Sequence, residues 1–133
     1  MRQPRGPVLL GVACVACVVA GCGASAGQQV QAKLQQFAHA VASRDTQTLC
    51  RQVLAPALVS HLQAAGLNCE QAMHTFVDSV SDPTLSISKV RVTGSTASAV
   101  VVAGAAGQPS STETVELTNT KNGWRLTSLA SAR

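Results

Sequence analysis

The residues with the clearest chemistry in this sequence are its five cysteines. Cys14 and Cys17 have the C-x-x-C spacing of a redox pair, but they lie in an uncharged apolar run with no strand before it. Redox chemistry is therefore not expected there. Cys22 follows that run directly, and Cys50 and Cys69 lie further along the chain. What each of these three does depends on the compartment in which the chain resides.

The first 21 residues have the three zones of an export signal. Arg2 and Arg5 form a basic start without an acidic residue, and an uncharged apolar run over residues 8–20 follows. As a helix this run is about 20 Å long. The hydrocarbon core of a bilayer is about 30 Å thick, so the run fits a signal peptide better than a permanent membrane span. We expect residues 1–21 to be a signal peptide.

The apolar run ends in Val19-Ala20-Gly21-Cys22, which resembles the lipobox of bacterial lipoproteins. In that family the cysteine thiol is diacylglycerated and the chain is then cut before it. The resemblance implies that Cys22 is the lipidated first residue of a secreted chain carrying acyl groups such as palmitate. Two or three acyl chains anchor stably where one is marginal. We expect residues 22–28 to be a flexible tether that holds the domain at the outer face of the cell membrane.

Export also determines what is expected of Cys50 and Cys69. Disulfides form and persist outside the cytoplasm, and these two cysteines are the pair left once the signal peptide is removed and Cys22 is modified. We therefore predict a Cys50–Cys69 disulfide. It would close a loop of about 20 residues, which is worth about 3 kcal/mol in the chain-entropy model.

The histidines and acidic residues show no motif of a catalytic or metal site. His39, His61 and His74 fall on three different predicted helices without the spacing of metal ligands, so no metal ion is expected. Glu113 and Glu116 are assigned to the water-facing side of a predicted strand. No Gly-x-Ser-x-Gly elbow and no phosphate-binding glycine loop occur in the sequence. We expect no catalytic residue and no cofactor.

Composition limits the classes of partner. Removal of Arg2 and Arg5 lowers the formal charge from +4 to +2, and the remaining basic residues are scattered. The chain has two phenylalanines, one tryptophan and no tyrosine. Without a basic stripe or aromatic platforms, nucleic-acid binding is not expected, nor is sugar binding by stacking. The preference for arginine over lysine, with much alanine and valine, is typical of a GC-rich genome.

The first half of the exported chain has helical periodicity. An apolar stripe that begins at Val30 predicts a helix over residues 29–43. A second is predicted over 46–65, with Pro56 expected to kink it or divide it into two short helices. A third helix begins after Asn68 and extends to about residue 80. The predicted caps of the second and third helices are Asp45 and Asn68.

The second half changes to a period of two. Apolar and polar residues alternate over 85–92, with a slip at Ser88 that predicts a β-bulge. Short connections predict an antiparallel meander, so the chain is an α+β domain in which helices pack on a curved sheet of about four strands. The other strands are predicted over residues 97–103, 112–118 and 124–131, with a loop over 104–111 and a turn at Asn122-Gly123.

The order of these features resembles that of small actinobacterial lipoproteins with a nuclear transport factor 2-like (cystatin-like α+β) domain. The resemblance implies that residues 29–133 form one cone-like domain, often with a conical pocket. That superfamily includes isomerases, dehydratases, cyclases and many non-catalytic members, so the fold does not determine function. The features that carry it are residues 42–45 at the end of the first helix, Cys50, Leu54-Ala55-Pro56, Cys69, and residues 90–94, 97–101 and 123–126.

Two functions remain open at this point. We predict a non-catalytic binding or interaction module of the cell envelope, whose partner is an unknown envelope protein or a small apolar ligand. The alternative is a small isomerase- or cyclase-type enzyme, with His39 or Asp78 as its ionisable group. The residues predicted to line a pocket, unless they merely fill the core, are Phe37, Val41, Leu54, Leu58, Val101 and Trp124.

Overall fold

The computed structural model describes residues 23–129. The predicted signal peptide and Cys22 lie outside these residues, as do residues 130–133. Within the described range, four helices precede a four-stranded antiparallel sheet, which is the predicted α+β order. No helix of this range is long and apolar enough to cross a membrane.

Helix α1 (Ala26–Ala42) begins three residues earlier than predicted. Ser25 and Gln28 form a capping box, in which Ser25 Oγ accepts from the Gln28 N–H at 3.2 Å and Gln28 Oε1 accepts from the Ser25 N–H at 2.9 Å. The prediction of a flexible tether over residues 22–28 is therefore wrong for residues 26–28, which are helical. The small residues at these positions suggested a linker, but the hydrogen bonds between Ser25 and Gln28 stabilise the first turn of the helix there.

The second predicted helix is divided, as Pro56 indicated. Helix α2 (Thr46–Thr48) continues into a π-helical segment (Leu49–Val53), and helix α3 (Pro56–Ala64) begins at the proline, which needs no N–H partner there. Asp45 caps α2 through the Thr48 N–H, as predicted.

The π-helical segment was not predicted. At its end the chain becomes extended and runs to the sheet. The Leu54 N–H donates to the Leu49 carbonyl at 2.9 Å, after which Leu54 and Ala55 are extended. The Ala55 N–H then donates to the carbonyl of Leu126, a sheet residue, at 2.7 Å. The helical layer is thereby joined to one edge of the sheet.

Helix α4 (Cys69–Asp78) is capped by Asn68, whose side-chain oxygen accepts from the Gln71 N–H at 3.2 Å. Cys69, the first residue of α4, forms a disulfide with Cys50 in the π-helical segment, and their Cα atoms are 6.1 Å apart. The predicted pairing is present, and it ties two successive helical segments together.

Strands β1 (Thr84–Thr93), β2 (Thr96–Ala105), β3 (Gln108–Thr120) and β4 (Gly123–Leu126) form a meander in the order β1-β2-β3-β4. The register between β1 and β2 shifts between Ile87 and Lys89, so the predicted bulge at Ser88 is confirmed. Strand β4 is shorter than predicted and ends at Leu126 rather than at residue 131.

The predicted loop over residues 104–111 is wrong, because β2 and β3 continue into a tight hairpin. Ala105 pairs with Gln108 across a two-residue turn in which Gly107 has φ +74°, a conformation that glycine adopts without strain. Pro109 lies beside the register shift between Ala103 and Ala105, where the ladder is already interrupted. The Gly/Pro-rich composition therefore marks a turn and a bulge within a long hairpin.

The core lies between the inner face of the sheet and the helices. Inner-face side chains are buried over residues 97–101 of β2, 115–117 of β3 and 124–126 of β4. Those of β1 are half-buried, and those at the hairpin end of β2 and β3 are half-buried or exposed. The helical layer therefore leaves part of the sheet uncovered. The largest fully buried side chains are Val30, Leu34, Leu49, Val53, Leu54, Val77, Val101, Leu117 and Leu126.

Candidate ligand-binding site

A cavity of about 210 Å³ opens on one side of the domain, between α1, the end of α4 and the β2–β3 hairpin. Its apolar floor belongs to the core of the domain. The floor side chains are Val101, Val115 and Leu126, which are at most 3% exposed.

Two aromatic rings form the helical wall of this cavity. Phe37 of α1 and Phe76 of α4 are stacked, with ring centroids 6.5 Å apart and planes at 25°. Val41, one turn after Phe37, continues the wall, and Leu85 of β1 closes the opposite side. Offset aromatic pairs add attraction beyond their burial, so the wall also connects α1 to α4.

The mouth of the cavity is held by hydrogen bonds between the hairpin and the segment after α4. The Ala106 N–H donates to the Ser81 carbonyl at 2.7 Å, and Gln108 Nε2 donates to the Ser79 carbonyl at 3.4 Å. These bonds attach the hairpin to the helical layer. One backbone and one side-chain hydrogen bond therefore fix the rim on this side.

Glu113 is the only ionisable residue among the described residues that line the cavity. It is half-buried on the inner face of β3, where it pairs with Val101 of β2 and precedes the buried Val115 by two residues. Within residues 23–129 its carboxylate has no hydrogen-bond or ion-pair partner. The cavity is thus an apolar pocket with one acidic group on its wall.

The assignment of Glu113 to a water-facing strand surface is wrong, whereas that of Glu116 is correct. Side chains of a strand alternate between its two faces, so residues three positions apart point in opposite directions. Glu116 is exposed and pairs with Ser98, while Glu113 shares the inner face with Val115 and Leu117. The signal in the sequence that could have located Glu113 is its spacing of two and four residues from the apolar Val115 and Leu117, which places all three on one face of the strand.

Three of the six predicted lining residues line this cavity: Phe37, Val41 and Val101. The other three do not. Leu54 is 1% exposed and lies in the core beside Leu126, and Leu58 on α3 packs half-buried at the edge of the core. These two residues therefore belong to the core and its edge and do not line the cavity.

Trp124 was also predicted to line the pocket, but it fills the core at the other end of the sheet. It is 2% exposed and pairs with Asn119, six residues along β3 from Glu113. At strand spacing this separation is about 20 Å. Periodicity places Trp124 on the correct face, but it does not indicate which end of the cone is open.

The residues named for an enzymatic alternative do not line the cavity. His39 is exposed on α1, and the Asp78 side chain is 61% exposed and pairs with Arg44 at 2.5 Å on the surface. The hypothesis that either group acts in this pocket is therefore wrong. Surface ion pairs of this kind contribute little to stability.

The three histidines are exposed on separate helices, and His74 Nε2 lies 3.5 Å from Thr46 Oγ1. In the part of the chain that the structure describes, no three His, Cys, Asp or Glu side chains are grouped so that they could hold a metal ion.

A second hollow of about 430 Å³ adjoins the rim of the cavity. It is lined by the exposed Arg44 and Asp82, by Ala42, and by four residues that it shares with the cavity, Val41, Val80, Pro83 and Thr84. Arg44 and Asp82 both have positive φ, 57° and 46°. Arg44 is already paired with Asp78, whereas the first cavity has an apolar floor of buried core side chains, which makes it the better candidate for a ligand site.

Two groups outside the cavity have shifted pKa values. Burial, and then the positive charge of Arg125, lower the pKa of Lys33, whose Nζ donates to the Gln52 carbonyl at 2.9 Å. The Thr48 N–H and then the Thr48 hydroxyl lower the pKa of Asp45, the α2 cap. Both groups contact the second helical region, at the Gln52 carbonyl and at Thr48, and neither lines the cavity.

The chain matches no protein-family model and has no significant match among curated proteins. Several solved structures share its architecture. A candidate dehydratase of the NTF2-like family from Streptomyces avermitilis is 21% identical, with a TM-score of 0.53 over 75% of this chain and 89% of that chain. An NTF2-like protein of unknown function from Silicibacter pomeroyi is 17% identical, with a TM-score of 0.53 over 74% and 87%.

A de novo designed protein with the NTF2 fold is 11% identical, with a TM-score of 0.54 over 83% of this chain and 90% of that chain. This chain has the NTF2-like fold. The expectation of a cone-like α+β domain is confirmed. At these identities the likeness describes the fold alone, and the function of the domain must be argued from its own cavity.

Proposed function

We propose that this protein is a lipid-anchored lipoprotein of the outer face of the cell membrane that binds a small, largely apolar ligand without transforming it. The observation that carries the proposal is the open cavity of about 210 Å³ with its apolar floor and aromatic wall. Concave, mostly apolar sites with few polar groups are the usual form of a small-molecule site.

The anchor is supported by the N-terminal pattern of basic residues, apolar run and Val19-Ala20-Gly21-Cys22. Because the helix cap at Ser25 follows Cys22 so closely, only three residues separate the proposed lipid from α1. Three extended residues span about 10 Å, so the domain would be held against the membrane surface.

The non-catalytic role is supported by the groups that line the cavity. Acid–base catalysis of isomerisation or dehydration needs a base together with a positioned proton donor or oxyanion stabiliser. Among the described lining residues Glu113 is the single ionisable group, with neutral Thr84, Gln108, Ser111 and Ser128 as its polar companions. One carboxylate in an apolar pocket fits recognition of a ligand better than a complete acid–base pair.

Native mass spectrometry of the protein, extracted gently from its own cell envelope, tests both parts of the proposal. The chain mass should equal that of residues 22–133 plus acyl and glyceryl groups. A small mass should co-purify with the wild type and be absent from Ala103→Phe, which places a ring in the cavity from the inner face of β2. The matched control is Val102→Phe, whose side chain is on the outer face.

An unmodified chain, or one cut elsewhere than before Cys22, would contradict the anchor. If wild type and Ala103→Phe carry the same bound mass, the ligand is not in this cavity. A bare wild-type chain would contradict the binding role, and the next experiment would be crosslinking to a protein partner in the intact envelope.

A further inference from the structure

Resting on that proposed function, we propose that the ligand is a small amphiphilic cation, with a protonated amine on an apolar body, and that Glu113 selects it. The observation is the position of Glu113. Among the described residues that line the cavity it is the one ionisable group, and the rest of the lining is apolar or neutral. It lies on the same inner face as the core residues Val115 and Leu117.

The charge of Glu113 defines the chemistry of the group that it would bind. An ionised carboxylate can only accept hydrogen bonds, and in the described structure nothing donates to it. A carboxylate on an apolar wall binds a donor of opposite charge through a charge-assisted hydrogen bond, which is stronger than a neutral one. A carboxylate or phosphate on the ligand would instead face a like charge. Fatty acids and anionic phospholipid head groups are therefore disfavoured in this cavity.

The depth of Glu113 orients such a ligand. On β3 the residue lies between Val115 on the floor and Ser111 toward the rim. An apolar body resting on the floor and against Phe37 and Phe76 would hold its amine beside the carboxylate, at middle depth. The rim would then be left to water and to the neutral side chain of Gln108.

The volume limits the size of the apolar body. An apolar cavity of about 150 Å³ is known to hold benzene. The cavity of about 210 Å³ has room for one ring with a short chain and is open to solvent beyond it. A ring carrying a four-carbon chain with a terminal amine matches this space, which makes 4-phenylbutylamine a suitable probe.

The test compares three probes that differ only in the polar end: 4-phenylbutylamine, 4-phenylbutan-1-ol and 4-phenylbutanoate. Each is titrated calorimetrically at pH 7.5 into the full chain held in phosphatidylcholine nanodiscs, with empty nanodiscs subtracted. Because a charge-assisted hydrogen bond is roughly twice as strong as a neutral one, we expect the amine to bind about tenfold more tightly than the alcohol. The carboxylate should bind more weakly than both.

Glu113→Gln is the decisive variant, since it keeps the size of the side chain and removes its charge. It should lower the affinity for the amine to that for the alcohol and leave the alcohol unchanged. Glu116→Gln, on the same strand but on the exposed outer face, should retain the full preference for the amine. Glu113→Asp keeps the charge on a side chain that is one methylene shorter, so it should retain most of the preference for the amine. If the amide variant folds poorly, loss of that preference in a folded Glu113→Asp would contradict a role for the charge.

The outcomes separate this inference from the function on which it rests. Equal affinities of the wild type for amine and alcohol would overturn the amine ligand but leave an apolar binding site. A preference that survives in Glu113→Gln would overturn the role of Glu113. If no probe binds to the wild type, the binding function and this inference both fall.

Discussion

Removing the Cys50–Cys69 disulfide should destabilise the domain by an amount that the loop length determines. The two cysteines are 19 residues apart in sequence, and one crosslink joins the π-helical segment to the start of α4. In the chain-entropy model a crosslink that closes a loop of this length raises the free energy of unfolding by about 3 kcal/mol. For a domain of this size that corresponds to a fall of about 15 °C in Tm. The double variant Cys50→Ala/Cys69→Ala removes the crosslink without burying a new polar group.

The assay is pulse proteolysis of the full chain across a urea series, which reports the free energy of unfolding without requiring the membrane lipid to be removed. Wild type under reducing conditions serves as the control and should match the double variant within the uncertainty of the extrapolation. Cys50→Ser should also leave Cys69 reactive to a thiol reagent after denaturation. A loss below about 1 kcal/mol, or a reactive Cys69 in denatured, non-reduced wild type, would refute the reasoning.

Two further predictions concern the groups with shifted pKa values. The pKa of Asp45 is lowered in the folded state by Thr48, so its contribution to stability is present above pH 3.8 and is lost as pH falls through the folded pKa. Asp45→Asn should therefore flatten the acid limb of the unfolding midpoint measured from pH 2 to 7, and an unchanged acid limb would contradict this. The pKa of Lys33 is lowered from 10.5 by burial and by Arg125, so the unfolded chain binds more protons there and stability should rise as pH rises toward 10.5. Lys33→Met should abolish that rise in the alkaline range below pH 10.5, whereas Lys89→Met, at an exposed position on the sheet, should preserve it.

The helices could be predicted where the signal is local. Pro56 cannot occupy a helix interior, and Asp45 and Asn68 accept hydrogen bonds from the first turns that follow them. The bulge at Ser88 was also visible, because a phase slip in the alternation of side chains has no other simple cause. In each case the determining contacts lie within a few residues.

The site could not be predicted to the same extent, because its position depends on which part of the sheet the helices cover. Phe37, Val41 and Val101 were predicted from periodicity, and periodicity also selected Trp124. All of these face inward, but only tertiary packing determines whether an inward position meets a helix or an opening. Glu113 was missed for a different reason, since a charged residue was assumed to face water although its strand parity indicated otherwise.

A difference in length between helix and strand explains why the cavity forms at the hairpin end. Helix α1 has 17 residues and is about 25 Å long, whereas β3 has 13 residues and extends about 44 Å. One such helix cannot cover the whole inner face of β3. At one end the bulky Trp124 and the chain leaving the π-helical segment fill the remaining space. At the other end the inner positions are small or polar, including Ala103 and Ser111, and they leave the space open. Substitutions at Ala103 or Ser111 therefore change the shape of the opening without replacing any of the fully buried side chains of the core.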